Sequence, residues 1–288
     1  MNGAAHIRAW LMRWPRNGGA LRISYSRFSA FVRNMERYRL FYELGLTPEG
    51  DATPTMWNFG RRRGRCFHAL IEGKDRAELV KEYGAELVKR CEDMREALPA
   101  DLKAAGTFDW VERSFDIPIG DGKHSIIGRI DHRFDDQGIR HPGDFKTTKG
   151  TRTKKEVSEY LTDLENSTQH HFYLRAEREF DAPTGLFTYH VIFDRKDKEH
   201  KPTYLPLHLP YIGPAEVDRT MSGVYTACEL ILALREYGIE KPWPDSRKWM
   251  FGDEAYREVA GRLLPKGCVP DGLTSRWKEQ IQAEATAE

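Results

Sequence analysis

The sequence has no run of about eighteen consecutive apolar residues, so nothing in it reads as a membrane-spanning helix. An apolar patch near the start, Ala9 to Met12, ends at Arg13 and is too short for the core of a signal peptide. Cysteine is scarce. Cys66, Cys91, Cys228 and Cys268 have no paired spacing, which argues against a disulfide framework and fits free thiols in a reducing cytoplasm. Net charge is also lacking: 45 basic residues stand against 44 acidic ones. A near-neutral chain does not coat nucleic acid by bulk charge, so any polyanion has to be met by local patches. Internal repeats and long low-complexity tracts are absent.

What remains is a chain of 288 residues, 40% hydrophobic and 11% aromatic, able to fill a sizeable core. Its length suits one large domain with a helical elaboration. Residues 1–20 read as a mobile leader, 21–105 as a helical part, 106–195 as a sheet with a helix, and 196–288 as a C-terminal helical part.

The organising stretch is Gly128 to Thr148, GRIDHRFDDQGIRHPGDFKTT. Two runs of strand character, Ser125 to Phe134 and Ile139 to Thr147, flank a turn with Asp135, Asp136 and Gly138. Side chains alternate along a strand, so Asp144 and Lys146 share one face and Phe145 takes the other. Pairing of the two runs as a hairpin brings Asp131 to the same face. Two carboxylates and one ammonium in a small volume suit a hard divalent cation and the charge that develops beside it.

Other segments carry candidates of their own. Ser26 is the expected cap of a helix whose apolar face is Phe28, Phe31, Val32, Met35 and Tyr38. Arg61, Arg62, Arg63 and Arg65 form the densest basic cluster and would suit phosphate, which guanidinium groups bind in bidentate fashion. His68 follows on the same helix, with Glu72 one turn along. Asp75 to Leu98 has a helical pattern, and Phe108 to Pro118 reads as a strand. A second basic run, Lys149, Arg152, Lys154 and Lys155, comes directly after the Asp-x-Lys. Gln169 and Tyr173 share one helix face, which Glu177 continues. Leu186 to Asp194 reads as a strand and Ala215 to Tyr237 as the strongest helix.

In this order the segments resemble the RecB-like branch of the PD-(D/E)xK nuclease superfamily. SYSRFSAFVRNMERYRLFY is similar to that branch's N-terminal helix, and Gly64 to His68 to its Gly-x-x-x-His motif. GRID, ending in Asp131, resembles its first acidic motif and DFKT its Asp-x-Lys motif, while Gln169 to Tyr173 resembles its Gln-x-x-x-Tyr motif. The resemblance implies an α/β fold, a mixed central sheet flanked by helices with a restriction-endonuclease-like core. It implies that His68, Asp131, Asp144 and the Phe145 carbonyl hold Mg²⁺ or Mn²⁺. Lys146 would position the attacking water, with Gln169 and Tyr173 lining the site. Iron-sulfur members of the branch carry Cys-Pro where this chain has Asn34-Met35, so no iron-sulfur cluster is expected. The implied activity is metal-dependent hydrolysis of DNA, from an end, in phage or mobile-element recombination or repair. An endonuclease, including a CRISPR spacer-processing type, and an inactive DNA-binding accessory protein are the alternatives. DNA is the expected partner, with room for a homo-oligomer or a recombination partner protein.

Overall fold

The computed structural model describes residues 19–43, 56–103, 108–136, 139–148, 153–180, 184–194, 199–239 and 243. The leader up to residue 18, Lys149, Arg152, Gly138 and Cys268 lie outside the described residues. In chain order come β1 (Arg22–Ser24), α1 (Tyr25–Arg33), α2 (Met35–Tyr38) and a π-helical turn, Arg39–Glu43. Four helices follow: α3 (Met56–Ile71), α4 (Arg76–Tyr83), α5 (Ala85–Glu96) and α6 (Ala100–Lys103). Then come β2 (Phe108–Ile119), β3 (His124–Asp136), β4 (Ile139–Thr148), α7 (Lys154–Glu165) and α8 (Gln169–Glu179). The last described elements are β5 (Thr188–Phe193), β6 (Thr203–His208) and α9 (Pro214–Gly238). None of the described helices is long and apolar enough to cross a membrane.

Local chemistry explains several of these boundaries. Ser24, not Ser26, caps α1: its hydroxyl accepts from the Arg27 N–H at 3.4 Å, because β1 ends there and the chain turns straight into helix. Asp75 caps α4 by accepting from the N–H groups of Ala77 and Glu78 at 2.8 and 3.2 Å. The single helical pattern expected over 75–98 is split at Gly84, whose φ of 90° only glycine adopts cheaply. Thr153 and Glu156 form a reciprocal capping box that starts α7.

The sheet has six strands among the described residues, in the order β1-β3-β4-β5-β6, with β2 paired to β3. β3 and β4 pair antiparallel, as the alternation of the organising stretch requires. β4 and β5 run parallel, and a parallel link needs a long crossover, which α7 and α8 supply. β6 pairs antiparallel with β5. This strand was not expected, since 196–288 read as helical and Pro206 interrupts the pattern; the proline fits because it sits on an edge strand. The sheet is therefore mixed and the fold α/β.

The chain divides into two compact units. One, within Thr53–Ile117 and Ile126–Met221, carries a core in which Phe67, Leu70, Leu79, Val88 and Met94 of the helices pack with Phe145 and Ile192 of the sheet. The other is drawn from Met1–Ala52, Pro118–Ser125 and Ser222–Glu288. There the Leu21 N–H donates to His124 Nδ1 at 3.1 Å, and His124 Nε2 meets Glu229 Oε1 at 2.5 Å.

Candidate active site

The register places Asp144 opposite Tyr189 and Lys146 opposite Val191, so the two charged side chains sit beside buried residues of β5. On β3, Asp131 lies one residue before His132, which pairs with Gly143. Its Oδ2 accepts from the Phe145 N–H at 3.3 Å. His68, near the end of α3, brings Nε2 within 3.1 Å of the Phe145 carbonyl oxygen and Nδ1 within 3.4 Å of Asp131 Oδ2. Lys146 Nζ is ion-paired with Asp144 Oδ2. From α8, Gln169 Nε2 and the Tyr173 hydroxyl each donate to Asp144 Oδ1 at 3.5 Å, and Gln169 Nε2 donates to the Tyr173 oxygen at 2.9 Å. The seven residues of the expected catalytic and metal set thus lie side by side in one cluster. The Asp144 side chain is 3% exposed, while those of Asp131, Lys146 and His68 are 14, 24 and 25% exposed, so the cluster opens to solvent on one side.

Burial dominates the electrostatics. It pushes the Asp131 carboxyl well above the usual range, and the adjacent Asp144 pushes it further. Burial would raise Asp144 too, but the Lys146 ammonium and a hydrogen bond with Asp131 more than reverse this, leaving it below the usual value. Burial alone would lower Lys146; the Asp144 and Asp131 carboxyls outweigh it and the ammonium is held charged. Burial also lowers the His68 imidazole, keeping it neutral. Two carboxyl groups packed together, one of them forced toward protonation, form an arrangement that a divalent cation would relieve. Carboxylate and carbonyl oxygens with one neutral imidazole are the donors that Mg²⁺ or Mn²⁺ accepts. Among the described residues no three His, Cys, Asp or Glu side chains already close around one point. Here Lys146 engages Asp144 Oδ2 and the Phe145 carbonyl engages His68.

The family model of the PD-(D/E)XK nuclease superfamily matches residues 22–237, well over half of the chain and all of this cluster. The chain belongs to the PD-(D/E)XK nuclease superfamily. No curated protein matches it. Similar solved structures include a crystal structure of SSO0001, with 13% identity over 80% of this chain and 84% of that one, at a TM-score of 0.33. Another is Scheffersomyces stipitis Rai1 in complex with (3'-NADP)⁺ and calcium ion, with 12% identity over 96% of this chain and 80% of that one, at a TM-score of 0.29. Likeness at these scores carries no further conclusion.

Membership in the nuclease superfamily implies a hydrolase acting on nucleic acid, so the basic residues gain interest. Arg61, Arg62 and Arg65 are exposed on α3, and Arg62 donates to the carbonyls of Glu82 and Tyr83 at 3.5 and 3.3 Å. Lys154 and Lys155 are exposed at the start of α7, with Lys155 3.8 Å from Glu159. Arg63 departs from its neighbours. It is buried, with Nη1 3.0 Å from Asp194 Oδ2, and cannot serve as a surface phosphate contact. Helical phase turns it inward while Arg62 and Arg65 face out. Glu72 pairs with Lys74 at 3.3 Å and acts on His68 only through its charge. Glu177 does continue the Gln169–Tyr173 face, but it is fully buried and bound to Arg133 Nη2 at 2.5 Å. Cys66 and Cys91 are both buried free thiols, and the Cys91 thiol of α5 donates to the Arg63 carbonyl of α3 at 3.7 Å.

Sequence reasoning missed Tyr189, whose ring lies 5.8 Å from Lys146 Nζ, and Asp194. Both sit in the run LFTYHVIFD, yet their partners depend on the β4–β5 register, and no local pattern encodes that.

Proposed function

We propose that this nuclease is a divalent-metal-dependent deoxyribonuclease of the RecB-like kind, degrading DNA from an end in recombination or repair of the phage or mobile-element type. The observation that carries the reading is the convergence of Asp131, Asp144, Phe145, Lys146 and His68, with contacts of 3.1 to 3.4 Å tying His68, Phe145 and Asp131 together. In this reading His68, Asp131, Asp144 and the Phe145 carbonyl hold Mg²⁺ or Mn²⁺. Bound there, the ion would neutralise phosphate oxygens and acidify a nearby water. Lys146, held as an ammonium ion, cannot take a proton from that water. It orients the water by donating to it, and it stabilises negative charge gathering on the phosphorus oxygens. Gln169 and Tyr173 keep Asp144 aimed and share its second oxygen. Arg61, Arg62, Arg65, Lys154 and Lys155, with Lys149 and Arg152, hold the DNA backbone without reading its sequence.

End-labelled linear DNA and covalently closed circular DNA, incubated with Mg²⁺ or Mn²⁺, test the reading. Loss of linear DNA with circular DNA intact supports the exonuclease. Cutting of circles points to an endonuclease. Binding without cutting in either metal points to an accessory protein.

A further inference from the structure

We infer that Asp194 is a positioning residue, holding the helix that carries His68 against the strand that carries Asp144 and Lys146. Asp194 directly follows β5, and its side chain is fully buried. Its Oδ2 meets Arg63 Nη1 of α3 at 3.0 Å and Arg90 Nε of α5 at 2.6 Å. Its own N–H donates to the Thr148 carbonyl at the end of β4, at 2.8 Å. Arg63 closes the loop by donating through Nη2 to the Thr147 carbonyl at 3.4 Å. The carboxylate thus ties two helices together, and the Asp194 N–H and Arg63 Nη2 tie them to the last residues of the strand that bears the Asp-x-Lys.

The geometry gives this tie leverage over the site. His68 lies five residues beyond Arg63, about 7.5 Å further along α3. The same helix touches β4 at Gly64, where a Cβ would lie 3.8 Å from Thr147 Oγ1. A slide or roll of α3 would therefore be passed directly to the imidazole, whose contacts at 3.1 and 3.4 Å leave little slack. Apolar packing alone tolerates such a slide. Charge-assisted hydrogen bonds with fixed directions resist it, and a fork-shaped guanidinium that reaches both Asp194 and Thr147 fixes angle as well as distance.

The inference rests on the reading of His68 as part of a metal site. Titration calorimetry with Mn²⁺ and a thermal melt, on the wild-type protein, Asp194→Asn, Arg63→Lys, His68→Ala and the double variant Asp194→Asn/His68→Ala, test it. Asp194→Asn and Arg63→Lys should each weaken Mn²⁺ binding about tenfold or more, the usual effect of losing a group that orients a ligand. In the His68→Ala background the Asp194 change should add almost nothing, because both changes disable the same ligand. A role in stability alone would lower the melting temperature while leaving Mn²⁺ affinity untouched. Unchanged affinity, or the same loss with and without His68, overturns the inference. Should Asp194→Asn fail to fold, Arg63→Lys, which keeps the charge but not the two-point reach, decides alone. Wild-type protein that binds no Mn²⁺, or His68→Ala binding as tightly as wild type, brings down the metal-site reading and this inference with it. Normal dependence on His68 without dependence on Asp194 or Arg63 brings down this inference only.

Discussion

Lys146 and Asp144, two residues apart on one face of β4, form an ion pair in which both partners keep their charge. Each would resist ionisation in so buried a place if alone; burial opposes both charges and their mutual attraction restores them. Lys146→Met therefore removes a positioned cation and leaves Asp144 without a counter-charge. Single-turnover cleavage should fall by about a hundredfold or more, the usual effect of removing one stabilising donor, with DNA binding retained. A rate within a few fold of wild type would contradict the role given to Lys146.

Tyr173→Phe is a gentler test. The ring packs edge-on to Phe115 at 6.3 Å and against Phe187 at 5.7 Å, and phenylalanine keeps both contacts. Only the hydroxyl that donates to Asp144 is lost, worth about 1 kcal/mol net. Cleavage should fall roughly fivefold and the melting temperature by no more than a few degrees, measured by kinetics alongside a thermal melt.

Neutralising Arg61, Arg62 and Arg65 together should weaken binding to DNA of any sequence. Each lost phosphate contact should reduce the slope of log affinity against log salt by about one. Arg63→Gln should behave differently. It disrupts a buried pair, although Asp194 keeps Arg90 as a partner, so it should lower stability while leaving the salt slope unchanged. Filter binding across a salt series, with urea unfolding, separates the two outcomes.

That contrast marks where the sequence stopped being legible. The β3–β4 pair was readable because alternation fixes which side chains share a face, and the motif helices were readable from periodicity. Convergence of Asp131, Asp144, Lys146, His68, Gln169 and Tyr173 was implied by motif order and is present in the fold. Burial of Arg63 was hidden because four arginines in a row of five look alike until helical phase and the position of Asp194 are known. β6 was hidden by Pro206, which is tolerated only because the strand is an edge. The true cap, Ser24, was missed because Ser26 nearby could serve equally well, and the break at Gly84 because the apolar periodicity runs on past it. Contacts that cross the parallel β4–β5 pairing, those of Tyr189 and Asp194 among them, are long-range facts with no local signature.

Buried histidines give a pH signature of their own. His170, beside Phe187 and hydrogen-bonded with the Tyr189 hydroxyl, is pushed by burial, with help from His171, down to about 3. His190 is likewise pushed by burial, and then by His141 and His208, to about 3. An unfolded histidine titrates near 6.5. Above that pH neither state is charged and these residues add no pH dependence. As pH falls from about 6.5 toward 3, the unfolded chain takes up protons that the folded chain refuses, so stability is lost, at up to about 1.4 kcal/mol per pH unit for each histidine. Urea unfolding at pH 7.5 and pH 5.0 should register this, and His170→Gln should shrink the difference. An identical difference in His170→Gln would show that His170 is not held neutral by its surroundings.

The central claim is that Asp131, Asp144, Phe145, His68 and Lys146 form one metal-dependent cleavage site. Its most direct test is hydrolysis of end-labelled DNA by folded wild-type protein and folded Asp144→Ala, each with Mg²⁺, with Mn²⁺ and with EDTA. Wild type should cut in either metal and stop in EDTA, and Asp144→Ala should not cut in any of the three while still binding DNA. Cutting by Asp144→Ala at near the wild-type rate, or cutting by wild type in EDTA, would contradict the account.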